Sequence, residues 1–218
     1  MIRPRVIDEP VWTYPPAADR AGLRHGEAHA VLSLSATGEL VDFLVVGCSH
    51  PAFAEALAEA LPEYKFAPAM VRGEPRPVRL LVKFDFQKGG TIGSIQFDDN
   101  PRALSGLLAA DTTARSLVFP PGELDQPLAP RRVVEPRYPD ELRSEGSAGE
   151  VKVDFFVDGA GRVRLPAVDP KAHPIFAREA TTALLEWQFE PPTRGGRPAL
   201  VKVEQVFNFP APPPEASK

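Results

Sequence analysis

Val151, Val153, Phe155 and Val157 alternate with Glu150, Lys152 and Asp154, the period of a half-buried β-strand. The "DGAG" that follows (Asp158 to Gly161) has hairpin-turn residues. "RVRLPAV" then reads as a second strand whose Pro166 suits only an edge or a bulge. After Pro174 the period changes: Phe176, Ala180, Ala183, Leu184 and Trp187 fall on one face of a helix. A last strand spans Leu200 to Phe209. Ahead of the first strand, Tyr138-Pro139 opens a short helix, with Asp140 and Glu141 at its positive end and Gly146 at its exit. The unit reads helix, strand, strand, helix, strand. Its expected core is Val151, Val153, Phe155, Phe176, Leu184, Trp187 and Phe189.

The same pattern occurs twice. His50–Phe86 aligns with His173–Phe209 without a gap, and about 14 of 37 positions are identical. The shared positions are structural punctuation: His-Pro, Phe53/Phe176, Phe66/Phe189, Gly73/Gly196, Pro75/Pro198 and a closing Phe-x-Phe. Upstream, Tyr14-Pro15 matches Tyr138-Pro139 and Gly22 matches Gly146. In the first copy Phe53, Leu57, Ala60, Leu61 and Tyr64 repeat the helical spacing, and Pro62 predicts a shortened or kinked helix end.

These patterns predict an α+β fold of two tandem lobes, at 1–95 and 131–209. Each is a three-stranded antiparallel sheet with two helices on one face. Residues 96–130 read as a helical and extended linker, in which "TIGSIQF" could add a strand and Asn100-Pro101 caps a helix; 210–218 is a proline-rich tail.

Composition narrows the function. A net charge of −4 and a pI near 5.6 speak against a nucleic-acid partner. No run of about 18 apolar residues occurs, so no membrane span is expected, and the N-terminus lacks the apolar region of a secretory signal. The single cysteine, Cys48, excludes an internal disulfide and reads as a small, partly buried hydrophobe.

Candidate chemistry is sparse. His25, Glu27 and His29 share strand parity and could hold a metal. They sit in the more degenerate copy with no counterpart in the second, so an exposed polar face is expected. His50 and His173 recur before a proline at a helix entry, which suggests a structural turn. Asp98 and Asp99 precede a helix start, where acids serve the dipole. "QKGGTIGS" lacks the spacing of a phosphate-binding loop. No enzyme activity, cofactor or metal is expected.

"EPRYP", a glycine before the first strand, "VKVDFFVDGAGRV", "FAREATTALLEWQFEPP" and "GRPALVKVEQVFNF" occur in this order. The second copy thereby resembles the C-terminal domain of TonB-family energy transducers along its whole length. The first copy is similar but degenerate, with Tyr64 in place of the tryptophan and Ala-Thr-Gly in place of the Asp-Gly turn. The resemblance implies a non-enzymatic periplasmic module that binds outer-membrane receptors by adding a receptor segment as a strand beside the last strand. The partner-binding residues it implies are Glu135, Pro136, Arg137 and Tyr138 of the lead-in with Leu200, Lys202, Glu204, Val206 and Asn208 of the edge. Family transducers carry an N-terminal anchor and a proline-rich spacer for inner-membrane motor proteins. The chain shows neither, so an export signal or anchor outside it is expected. The alternative is a self-associating envelope scaffold without energy coupling, for which a homodimer is the expected partnership.

Overall fold

The computed structural model describes residues 3–89, 96–98, 114–143 and 145–211. The chain divides into two compact units, Met1–Leu117 and Val118–Lys218. In unit 1 the main strands are β1 (His25–Leu34), β2 (Leu40–Cys48), β3 (Val78–Gln87), β4 (Gln96–Asp98) and β5 (Arg115–Ser116). They form an antiparallel sheet in the order β4-β3-β1-β2-β5. In unit 2, β6 (Val118–Phe119), β7 (Gly149–Val157), β8 (Val163–Val168) and β9 (Leu200–Phe209) take the order β6-β9-β7-β8. The two-residue β6 pairs in parallel with the start of β9, and the other pairings are antiparallel.

Each unit is thus a repeat-encoded three-stranded antiparallel sheet, widened by short strands from the stretch read as a linker. The helix expected from Asn100 onward and residues 91–95 of "TIGSIQF" lie outside the described residues, as do residues 212–218 of the tail. Among the described residues, no helix is long and apolar enough to cross a membrane.

Helices α1 (Pro16–Arg20) and α2 (Pro51–Ala60) belong to unit 1, and α3 (Pro174–Leu185) to unit 2. The helix expected after Tyr138-Pro139 is only a 3-10 turn, Asp140–Leu142, but its Leu142 still enters the core. α2 stops at Ala60, and Pro62 lies in the 3-10 turn Leu61–Glu63, because proline cannot donate the next helical hydrogen bond. Of the two histidines at the helix entries, His50 caps its turn with a side-chain hydrogen bond and His173 does not. His50 Nδ1 accepts from Ala52 N–H at 3.2 Å, and the two rings lie 6.4 and 5.5 Å from Phe53 and Phe176. Pro166 lies on the terminal strand β8, where the register slips and Leu165 adopts φ 49°.

The cores repeat as the sequences do. Phe53, Leu57, Phe84 and Phe86 are buried in unit 1, and Phe176, Ala180, Phe207 and Phe209 at the aligned places in unit 2. All the expected core residues of the second copy pack there, with Trp187 half-buried at the rim. Cys48 is buried and free.

One glycine contact recurs in both hairpins. A Cβ on Gly161 would lie 2.1 Å from the Phe189 carbonyl oxygen, and one on Gly38 would lie 2.2 Å from that of Phe66. Both glycines have φ near +85° (80° and 88°), so backbone conformation and space demand the same residue. The turns differ in chemistry yet converge in geometry. The Asp158 carboxylate accepts from the N–H groups of Ala160 and Arg162, each at 3.0 Å. In unit 1 Ser35 Oγ accepts from those of Thr37 and Glu39. Burial alone would raise the Asp158 carboxyl, but these bonds and the Arg162 side chain outweigh it and hold it below the usual range.

The far face of the unit 1 sheet corrects one expectation. Instead of an exposed polar surface, Glu27 and His29 are 6% and 2% exposed there, beside buried Val31, Val46 and Leu81. Glu27 is held by Lys83 at 2.9 Å and accepts from Ala114 N–H at 2.8 Å. Neither ring nitrogen of His29 has a hydrogen-bond partner among the described residues, and its Nε2 stands 3.9 Å from Glu27. Burial lowers the imidazole pKa against the opposing pull of Glu27.

Two outcomes follow from these contacts. Gly161→Ala is expected to cost unit 2 about 2–4 kcal/mol by denaturant unfolding. Gly195→Ala has positive φ but no atom within 4 Å of the added Cβ, and should cost roughly 1–2 kcal/mol. For His29, the folded pKa lies below the unfolded value of about 6.5. Its contribution to stability is therefore intact above that pH and is lost as pH falls through the folded pKa. The only tryptophans are Trp12 and Trp187, so Trp12 fluorescence in a Trp187→Phe background reports unit 1. That signal should show stability falling from pH 7.5 to 5.5, and His29→Leu should flatten the fall.

Candidate strand-docking edge and groove

The outward edge of β9 is only partly occupied. β6 pairs with Leu200 and Val201, and β9 runs on for eight residues, Lys202–Phe209, past that pairing. Val201, Phe207 and Phe209 are buried toward the core, whereas Glu204, Val206 and Asn208 are exposed. Lys152 and Glu204 form an ion pair at 2.7 Å across the exposed face.

β6 is anchored by chemistry around the Thr193–Arg194/Arg197–Pro198 hairpin. The Asp125 carboxylate accepts from Gly195 and Gly196 N–H at 2.8 and 2.9 Å, which keeps its pKa low. The Arg194 guanidinium lies 4.4 Å from the centre of the Phe119 ring and 3.0 Å from Glu123. These contacts hold residues 118–125 against the start of β9 and fix where its open edge begins.

Beside the open part lies a groove of about 610 Å³. One wall is the lead-in Val133–Pro136 with Tyr138, and the other is Gln205–Phe209. The lead-in is held from below. Pro130–Arg132 pairs antiparallel with Gln188–Phe189, Arg131 meets Glu190 at 2.7 Å, and Arg132 meets Glu186 at 2.8 Å. Trp187 Nε1 donates to the Val134 carbonyl at 2.8 Å while its ring packs edge-on to Phe207 at 5.7 Å, so one indole ties wall to wall. Tyr138 closes the end: its hydroxyl donates to the Ser147 carbonyl at 2.6 Å, and its ring meets Phe176, which stacks on Phe209 at 4.5 Å. Arg143 lies 5.8 Å from the Tyr138 ring centre.

Of the residues singled out from sequence, Glu135, Pro136, Tyr138, Val206 and Asn208 come together around this groove. Lys202 and Glu204 are on the same strand but do not line it. Leu200 is covered by Val118, and Arg137 is exposed away from the lining. Sequence reasoning missed Val133, Val134, Arg143 and Trp187 as lining residues. Trp187 carried a visible signal, because its NH must find a partner, but nothing in the spacing named Val134 as that partner.

Unit 1 presents the same framework differently. Val6–Asp8 pairs with Lys65–Phe66 as the equivalent lead-in. Trp12 stands where unit 2 has Pro136, and its ring lies 5.5 Å from Phe86 and 6.2 Å from Phe84. Its Nε1 donates to the hydroxyl of Tyr64, the counterpart of Trp187, at 2.6 Å. Burial pushes the Tyr64 pKa up to about 12 despite that bond, so the hydroxyl remains protonated. The middle of β3 is paired outward as well, with Leu81, Val82 and Lys83 opposite β4.

The family match falls on the same two repeats. The family described as Gram-negative bacterial TonB protein C-terminal matches residues 10–87 and 134–210. The chain is 32% identical over 93 residues to Protein TonB of Pseudomonas aeruginosa, a match covering 42% of this chain and 27% of that protein. The chain therefore spans about a quarter of that relative's length. It is also similar to the solution NMR structure of the Pseudomonas aeruginosa TonB CTD, at 30% identity over 43% of this chain and 93% of that one, with a TM-score of 0.35. With both repeats matched and each folded around the same recurring contacts, the chain belongs to the TonB C-terminal family and carries two copies of its domain in tandem.

Proposed function

We propose that the chain is a non-enzymatic protein-binding module of the TonB energy-transducer type, working in the periplasm. Its second repeat takes a short extended segment of an outer-membrane receptor as an added strand on β9. The observation that carries this reading is the long β9 edge, paired outward among the described residues only at Leu200 and Val201, beside the groove. Outward N–H and C=O groups on such an edge give main-chain affinity to an extended peptide, and adjacent pockets sort its alternate side chains. Val134, Pro136 and the Trp187 and Phe207 rings offer an apolar surface to side chains that point from the added strand into the groove. Lys202 and Glu204 on the exposed face discourage indiscriminate pairing without blocking one peptide in register.

The first repeat is assigned no receptor docking. Trp12 fills the aligned position, and β4 pairs with the middle of β3.

Proline scanning at adjacent positions tests the edge. Consecutive N–H groups point to opposite sides of a strand, so of Glu204→Pro and Gln205→Pro one breaks a β7–β9 bond and the other removes only an outward donor. The variant that keeps its fold by circular dichroism is expected to lose at least about tenfold in affinity for synthetic peptides from receptor N-terminal segments, about 1.4 kcal/mol. Unchanged binding by that folded variant would place docking elsewhere. A Trp187→Phe variant, which loses the bond to Val134 but keeps the ring against Phe207, should bind more weakly through a looser groove.

A further inference from the structure

Within unit 1 another groove, of about 490 Å³, runs between Pro10–Thr13, α1 and α2. Its lining includes small and apolar side chains such as Trp12, Ala52, Ala56 and Ala60, and Val11 stands at it 97% exposed. Glu55, Glu59 and Glu63 run along the α2 side, all exposed. Glu55 and Glu59 are one helical turn apart, about 6 Å, and Glu63 continues the line from the 3-10 turn at the helix end. Arg20 faces them from α1, and among the described residues none of the three acids is ion-paired.

The second repeat shows how the same place is tied when its charges are complete. Arg178, aligned with Glu55, holds Glu141 at 3.0 Å. Arg132 of the lead-in holds Glu186, aligned with Glu63, at 2.8 Å. The first repeat has Glu55 for Arg178, Asp8 for Arg132 and Ala17 for Glu141, so both cations have become acids. Asp8 is engaged elsewhere, with Lys65 at 2.7 Å. Glu63 thus keeps the place of Glu186 without its cation, Glu55 puts an acid where Arg178 stands, and Glu59 adds a third where the second repeat has Thr182.

We infer that this groove docks a basic polypeptide segment, in which Lys or Arg residues alternate with small apolar ones. One cation answers Glu63 in trans as Arg132 answers Glu186 in cis in the second repeat, the others answer Glu55 and Glu59, and the apolar residues cover Val11 and Ala56. Single exposed ion pairs contribute little, so affinity requires the row together with apolar burial. An acidic or nucleic-acid partner is repelled by the same row. The site lies wholly in unit 1 and does not depend on strand addition at β9.

The test uses the full chain and a fluorescein-labelled heptapeptide, Lys-Ala-Arg-Ala-Lys-Ala-Arg, followed by anisotropy. Saturable binding that weakens with salt is expected for the unmodified chain. Ala17→Glu with Glu55→Arg rebuilds the tie of the second repeat and should cost at least about tenfold in affinity. Glu150→Gln, on unit 2, adds the same single positive charge overall and should leave affinity within about twofold. If the rebuilt tie disturbs the fold, judged by Trp12 fluorescence, Glu59→Gln with Glu63→Gln should still lose about fivefold. Absence of saturable binding, an equal loss in Glu150→Gln, or no loss in the folded groove variants would overturn the inference.

Discussion

A small sheet that does not close on itself must end in strands whose outward N–H and C=O groups have no partner within the sheet. Each repeat here encodes three long strands, and the last strand of each repeat is one of the two outer ones. Everything distinctive about the molecule concerns what happens at that edge. Buried unpaired backbone groups would be costly, and exposed ones invite another chain. The two copies settle the same constraint in opposite ways.

In the first copy the edge strand is paired across its middle, and an indole from the lead-in takes the adjoining space. In the second, pairing among the described residues stops after Val201, and the indole comes from the helix end instead, bracing the lead-in through the Val134 carbonyl. Exchanging which side supplies the tryptophan turns a filled seam into a groove. The second groove, on α2, follows the same logic with charge: the ion pairs of Arg178 and Arg132 that tie this place in the second copy have no counterpart in the first.

Much of the fold was legible because it is periodic. Alternation in 151–157, helical spacing from Phe176 to Trp187 and the recurrence of both in the first copy define strands, helices and core. Gly26, Gly38, Gly149 and Gly161 recur because a Phe ring or a carbonyl stands where their Cβ would go, a reason the sequence marks only by repetition. What escaped were features without a period. β5 and β6 are two residues long, too short to alternate detectably, whereas β4 falls at the end of the "TIGSIQF" read as a further strand. Glu27 and His29 were read as a solvated face because polar alternation looks the same whether or not something covers it. The groove was half legible: the strand and lead-in were named, but Trp187 was assigned to the core, and it serves the core and the groove wall at once.

The central claim is that the edge of β9 is open from Val203 onward, whereas the matching strand of the first copy is paired at its middle. Amide hydrogen exchange on the free chain, resolved by residue, tests it most directly. Alternate amides in Val203–Phe209, those pointing away from β7, should exchange at near-unprotected rates. The outward amides within Leu81–Lys83 should be protected by β4. Uniform protection along Val203–Phe209, equal to that at Leu81–Lys83, would contradict the account.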